Sequence, residues 1–274
     1  MAYKPRKMPE DVNVTSIHPL VNFANLIGTV ILFSALAYFG LGLIANRLAT
    51  HISPATEVKI GQHLIASYKT PKSDLEKSHL QQQQYLEKLL ASLKTSNPRF
   101  AIPLSITLID NEIANAAILP GGNILVTTGL LEEAESENEI AFVLAHELGH
   151  HLNRDPLKAL GRSLVFLTVS SVLGIGGSNT DAIAFTGLLT NLHYSRQQES
   201  AADVYALQVI IDKYGHGGSS LSFFERVKTK DKRGKLASYV STHPLTQERI
   251  NYLQQLAREN GWQMTGKITE LPAN

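Results

Sequence analysis

No cysteine occurs in the 274-residue sequence. That excludes disulfides, thiolate metal sites and cysteine nucleophiles together, and leaves histidine and the carboxylates as the side chains able to hold a metal. An excess of charge of either sign is missing as well. Twenty-five Lys and Arg stand against 24 Asp and Glu, for a net charge of +1, so no basic footprint for nucleic acid is present. A hydrophobic fraction of 43% excludes a disordered polar chain, and the length suits one catalytic domain with an appendage.

From Pro19 to Asn46 charge is absent altogether. A membrane-spanning helix needs about 20 mostly apolar residues, which this run exceeds, so residues 20–46 are expected to form a transmembrane anchor behind a polar tail, 1–19. A buried core helix and a cleaved signal peptide, with Ala35-Leu36-Ala37 resembling a cleavage site, are the alternatives. Hydrophobicity continues past that site to Ala45, which favours an uncleaved anchor contacting membrane lipid. Lys4, Arg6 and Lys7 precede the span, whereas Arg47 and Lys59 follow it. By the positive-inside rule the large C-terminal domain then lies on the non-cytoplasmic side of a plasma or inner membrane.

What the chain does contain is Ala145-His146-Glu147-Leu148-Gly149-His150, an HExxH pattern led by the apolar run Ile140–Leu144. Ser136 and Glu139 form an S-x-x-E signature at the expected start of that helix. Residues i and i+4 share a helix face, so His146 and His150 can aim at one point, where zinc would sit about 2.0–2.1 Å from each nitrogen. Glu147 is then placed beside the metal as a base toward water, not as a ligand. One more oxygen or nitrogen ligand would complete a catalytic site. A second capping signature, Ser195 to Gln198, opens a helix running to about Lys213, with Glu199 and Asp203 on one face of its first turns. Glu199 would complete His/His/Glu coordination, and Asp203 would fix the tautomer of a ligating histidine. Ser200, Ala201 and Ala202 are small enough to let this helix approach another closely.

The rest of the chain supplies a frame. Helices are expected over 57–68 and 74–93, a strand over 102–109, and a β-hairpin whose arms 114–119 and 123–127 flank Pro120-Gly121-Gly122. The hairpin is either an edge that receives substrate as an added strand or a cover for the core. Asp155-Pro156 restarts the chain after the HExxH helix, and 157–192 reads as a buried or membrane-facing helical pair, a membrane-embedded hairpin being the alternative. The expectation is an α+β, mainly helical, zincin-like (gluzincin) domain over 53–260 with a small antiparallel sheet, an N-terminal transmembrane helix, and a C-terminal tail over 261–274.

These residues, with Asn115-Ala116, Leu119-Pro120-Gly121-Gly122, Ser241-Thr242-His243-Pro244 and Arg249-Ile250, resemble the HtpX-like and CAAX-prenyl-protease type I family of membrane-associated zinc metallopeptidases over roughly residues 55–255. The resemblance implies one Zn2+ per chain held by His146, His150 and Glu199, with Glu147 as catalytic base and Asp203 behind a ligand histidine. It also implies that His243 lies near the scissile carbonyl, that Arg249 supports it, and that Asn115 binds substrate backbone. The implied activity is endoproteolysis of polypeptides, misfolded or membrane and envelope proteins among them. A tethered binding or chaperone-like protein with structural zinc, and a zinc hydrolase of non-peptide amides, are the rivals from other classes. The sequence differs from multi-span relatives in having one convincing transmembrane segment.

Overall fold

The computed structural model describes residues 18–66, 77–93, 102–172, 194–222, 225, 226, 239, 242–244 and 246–272. The polar tail before residue 18 and the whole second arm of the 157–192 pair, 182–192, lie outside them. Helix α1 spans Pro19–Ala49, capped by His18, whose ring accepts from the Leu20 N–H. Its 31 residues rise about 46 Å, more than the roughly 30 Å of a bilayer core. Its apolar side chains face outward, with Leu20 70% and Leu43 71% exposed. Such a surface suits lipid and is unfavourable in water.

Helix α2 (Pro54–Ala66) and helix α3 (Lys77–Leu93) follow. Strands β1 (Ser105–Ile109), β2 (Ala116–Leu119) and β3 (Asn123–Thr127) form a sheet in the order β1-β3-β2. The hairpin is where the sequence puts it, but the sheet is mixed: β2 pairs antiparallel with β3, and β1 pairs parallel with β3. The reason is topological. The loop after β1 skips one strand position, β2 returns along it, and the tight turn slots β3 between them. Gly121 and Gly122, at φ 84° and 82°, supply the left-handed backbone that this turn requires. The result leaves β2 as an edge strand packed on the helix that carries HExxH.

That helix, α5 (Glu137–Leu152), follows the short α4 (Thr128–Glu133). Ser136 accepts from the Glu139 N–H as expected, but the Glu139 carboxylate departs from a full capping box. It accepts from the Glu135 N–H at 2.9 Å and pairs with Arg226, because the guanidinium is the stronger partner in a buried site. From Asn138 to His151 every residue of α5 is buried. Ile140, Phe142, Val143 and Leu144 enter one core with Ile118, Ile124 and Val126 of the sheet and Leu86 and Leu93 of α3. A helix enclosed on every side holds its polar side chains rigidly.

Arg154, at φ 54°, turns the chain sharply into α6 (Asp155–Val172). Its guanidinium holds Glu57 of α2 and the carbonyls of Thr50 and Ile52, tying this corner to the end of α1. Helix α6 packs along α1, where a Cβ on Gly161 would come 3.2 Å from that of Ala45. Helix α7 (Arg196–Tyr214) begins with both halves of the Ser195/Gln198 capping box and ends at Gly215, φ 77°. Helix α8 (Gln247–Glu259) closes the core through Ile250 and Leu253.

Helices α5 and α7 share the most extensive contact between elements among the described residues. An added Cβ on Gly149 would stand 2.8 Å from the Ala202 Cα. Of the small residues expected to allow this approach, Ala202 is buried at the contact and Ala201 faces outward. Gly149→Ala is therefore expected to destabilise the protein by on the order of 1–2 kcal/mol, despite alanine's better helix propensity. A urea titration followed by circular dichroism measures it. Residues of the expected C-terminal tail make contacts with α5 and the core. Thr269 accepts from the Glu137 N–H and donates to Asn138 Oδ1, each at 2.9 Å, while Trp262, Met264 and Leu271 pack on the core. The free first-turn amides of α5 give that extended segment a partner.

Candidate metal centre

Four side chains from three places in the chain meet beneath the edge strand. His146 and His150 stand one turn apart on α5, with their Nε2 atoms 3.1 Å apart. Glu199, in the first turn of α7, brings Oε2 to 3.4 Å from His146 Nε2 and Oε1 to 3.4 Å from His150 Nε2. His243, just before Pro244, completes the group with Nδ1 3.1 Å from Glu199 Oε1 and 3.2 Å from His146 Nε2. All four are buried, and a ligand atom from each lies within 4.8 Å of the others.

The far nitrogens of His146 and His150 are each held by a carboxylate. His146 Nδ1 lies 3.0 Å from Asp203 Oδ1, and His150 Nδ1 lies 3.1 Å from Asp155 Oδ2. With Nδ1–H donating outward, the two Nε2 lone pairs face each other, an arrangement that calls for a cation between them. Arg249 makes the Asp203 carboxylate rigid with two bonds of 2.7 Å from Nε and Nη2. Its Nη1 lies 2.9 Å from Glu199 Oε2 and donates to the Pro244 carbonyl at 2.9 Å. The family resemblance implies that Arg249 supports His243; the side chain reaches the His243 turn through the Pro244 carbonyl and also bonds the two carboxylates.

Glu147 stands outside the group of four that could hold an ion. Its Oε2 accepts from the Ile118 N–H at 2.9 Å, and its Oε1 is 3.4 Å from His243 Nε2. Ile118 lies on β2, so the base is fixed to the edge strand. Asn115 occupies the position before β2, its backbone bonded both ways to Thr127. The ion-binding cluster is made without it.

Three participants escaped sequence reading. Asp155 reads as a cap for α6, yet its side chain turns back to His150 and also receives Gln198 Nε2 at 2.7 Å. An acid five residues past the second histidine, across a helix break, was the available signal. Tyr194 stacks on His150 with ring centroids 4.0 Å apart, and Tyr239 stacks on His243 at 4.9 Å. Neither aromatic carries a local spacing that marks it. His151 is buried beside the site, where burial lowers its pKa, and it stays outside the cluster; His193 lies outside the described residues.

Electrostatics agree with a place for positive charge. Burial alone would lower His146, but the carboxylates of Asp203 and Glu199 outweigh it and hold the imidazole up at about 10. His150 is raised as well, burial being overcome by Asp155 and Glu199. For Glu199, burial favours the neutral acid, yet the charge of His243 and hydrogen bonds from the three histidines hold it far below the usual carboxylate range. The surrounding carboxylates thus favour positive charge at His146 and His150.

The sign follows from linkage. The His146 pKa in the folded state exceeds its unfolded value of 6.5, so its contribution is complete below pH 6.5 and is lost as pH rises through about 10. Chelator-treated protein should therefore lose on the order of a few kcal/mol across that window. Zinc-loaded protein should change much less, because the metal replaces the proton. Thermal melts of both forms at pH 6.5 and 10 measure the difference.

A mixed sheet whose edge lies over an HExxH helix, met by a second helix bearing an acid, defines a zincin-like domain. The chain belongs to peptidase family M48, whose profile matches residues 76–257. It is 27% identical to the mitochondrial metalloendopeptidase OMA1 of Schizosaccharomyces pombe over 177 residues, covering 62% of this chain and 52% of that protein. Against the Arabidopsis thaliana OMA1 the identity is 30% over 161 residues, 56% of this chain and 32% of the relative. The beta-barrel assembly-enhancing protease of Escherichia coli is 25% identical over 181 residues, 61% of this chain and 37% of the relative. The chain thus matches about half or less of the length of these relatives. Peptidases of this family use zinc. The donor set fits that ion: imidazole nitrogens and a carboxylate, no thiolate, with His146 and His150 each backed by an acid.

Proposed function

We propose that the protein is a membrane-anchored zinc metalloendopeptidase, with His146, His150 and Glu199 as metal ligands. The observation that carries this reading is the placement of Glu147: beside the converged donors, excluded from them, and bonded to the edge strand. Bound zinc lowers the pKa of water toward about 7 and polarises the peptide carbonyl.

The chain's own residues do the rest. A substrate backbone adds to the outer edge of β2, where the Ile118 N–H points at the site. Glu147 accepts a proton from the attacking water and passes it to the leaving amine. His243, with Nε2 facing Glu147 Oε1, is placed to donate to the carbonyl oxygen as negative charge develops there. Asp203 and Asp155 hold the two α5 imidazoles in the tautomer that presents Nε2. Arg249 locks Asp203 and Glu199 and so ties α8 to the first turns of α7. Asn115, at the entrance to β2, is placed to contact substrate backbone.

Helix α1 anchors the domain. The basic residues Lys4, Arg6 and Lys7 ahead of it support a non-cytoplasmic catalytic domain, with misfolded or membrane and envelope polypeptides as substrates. The test uses the full chain in detergent with casein. Cleavage should stop on chelation and return with one equivalent of zinc. Cleavage that persists at full rate after the metal is removed would refute the reading.

A further inference from the structure

Where α1 ends, a cavity of about 550 Å³ opens between three helices, lined by Asn46, Lys158, Arg162, Tyr194, Ser195 and Gln198. Two of the six are cations and none is an acid. The volume is that of an ordinary small-molecule site. Arg162 Nη1 donates to Asn46 Oδ1 at 3.1 Å, which joins α6 to α1 at this point. Lys158 Nζ donates to the Asn153 carbonyl at 2.6 Å and stands 3.4 Å from Asp155 Oδ1, an acid also bonded to His150 and Gln198. Ser195 is the N-cap of the 19-residue α7, whose dipole directs positive potential into the same space.

Depth fixes the kind of anion. Helix α1 carries no charge until Arg47, and Asn46 lines the cavity. Between Lys158 and Arg162 on α6, Gly161 packs on Ala45, near the end of the uncharged span, and two residues past Arg162 Leu164 is 46% exposed. The cations therefore sit where the apolar span gives way to the headgroup layer, with apolar surface on the membrane side. Soluble phosphate offers only the charge; a phospholipid offers the phosphate at this depth with its chains along α1.

We propose that this cavity binds the phosphate of an anionic phospholipid headgroup, an inference that rests on α1 being the membrane anchor. Lys158 and Gln198 both contact Asp155, so two side chains, one of these and Asp155, link the bound headgroup to His150.

The test places the zinc-loaded full chain in nanodiscs of phosphatidylcholine containing a minor fraction of phosphatidylglycerol, then counts retained lipid by native mass spectrometry. The wild-type chain should keep one phosphatidylglycerol. The Lys158→Gln/Arg162→Gln double variant, matched for helix content and zinc, should keep roughly tenfold less or lower still, and Arg162→Lys should retain it. Equal retention by the double variant, or equal retention of phosphatidylcholine, overturns the proposal. Stabilisation by inorganic phosphate with no lipid retained overturns it too, since the site would then read the free ion. A chain that does not enter the nanodisc refutes the anchor itself, whereas a chain that enters and keeps no anionic lipid refutes the cavity assignment alone.

Discussion

Glu147→Gln is expected to abolish cleavage while leaving zinc in place. Glutamine has nearly the same shape, and its side-chain carbonyl can still accept from the Ile118 N–H, so the contact between α5 and β2 survives. What is lost is basicity. Removing a general base typically costs about 10²–10⁴ in rate, and none of the ligand atoms of His146, His150 or Glu199 is disturbed. Casein turnover by the pure variant, alongside its zinc content by atomic absorption, separates these effects. Turnover at the wild-type rate would show that Glu147 has another role.

The second large effect is expected at Asp203. Its carboxylate faces His146 Nδ1 at 3.0 Å and takes two bonds from Arg249, all in a buried setting. Asp203→Ala leaves the guanidinium without its principal partner and the imidazole without the group that fixes its tautomer. Zinc affinity should fall roughly 10–100-fold, the usual consequence of deleting an acid behind a ligand histidine. Stability should fall by about 3–5 kcal/mol, since a buried charge is left uncompensated. A chelator-competition titration reads the first and urea unfolding the second. If affinity falls and stability does not, Arg249 has moved wholly to Glu199.

The metal centre was legible because its chemistry is local. The i, i+4 spacing of His146 and His150 and the capping residues around Glu199 each specify a helix and a face, and the absence of cysteine removed the competing ligand types. The hairpin was equally plain, since Pro120-Gly121-Gly122 admits little else between two apolar runs. What stayed hidden depends on elements distant in sequence. The parallel pairing of β1 with β3 is set by where the β1–β2 loop lands, which no period reveals. Asp155 serves His150 only because Arg154 adopts a left-handed turn that swings the start of α6 back toward α5. Tyr194 and Tyr239 meet the histidines through packing, and aromatic stacking leaves no mark in spacing. The 261–272 segment reads as a tail because its bonds run to the first turn of α5, more than a hundred residues earlier.

X-ray absorption at the zinc edge of the purified, zinc-loaded chain tests the convergence of α5 and α7 most directly. The account predicts a shell of nitrogen and oxygen at about 2.0–2.1 Å with imidazole scattering from at least two histidines, and loss of tight zinc binding on Glu199→Ala. An unchanged zinc shell and undiminished affinity in that variant would contradict it, because the metal would then be held without the second helix.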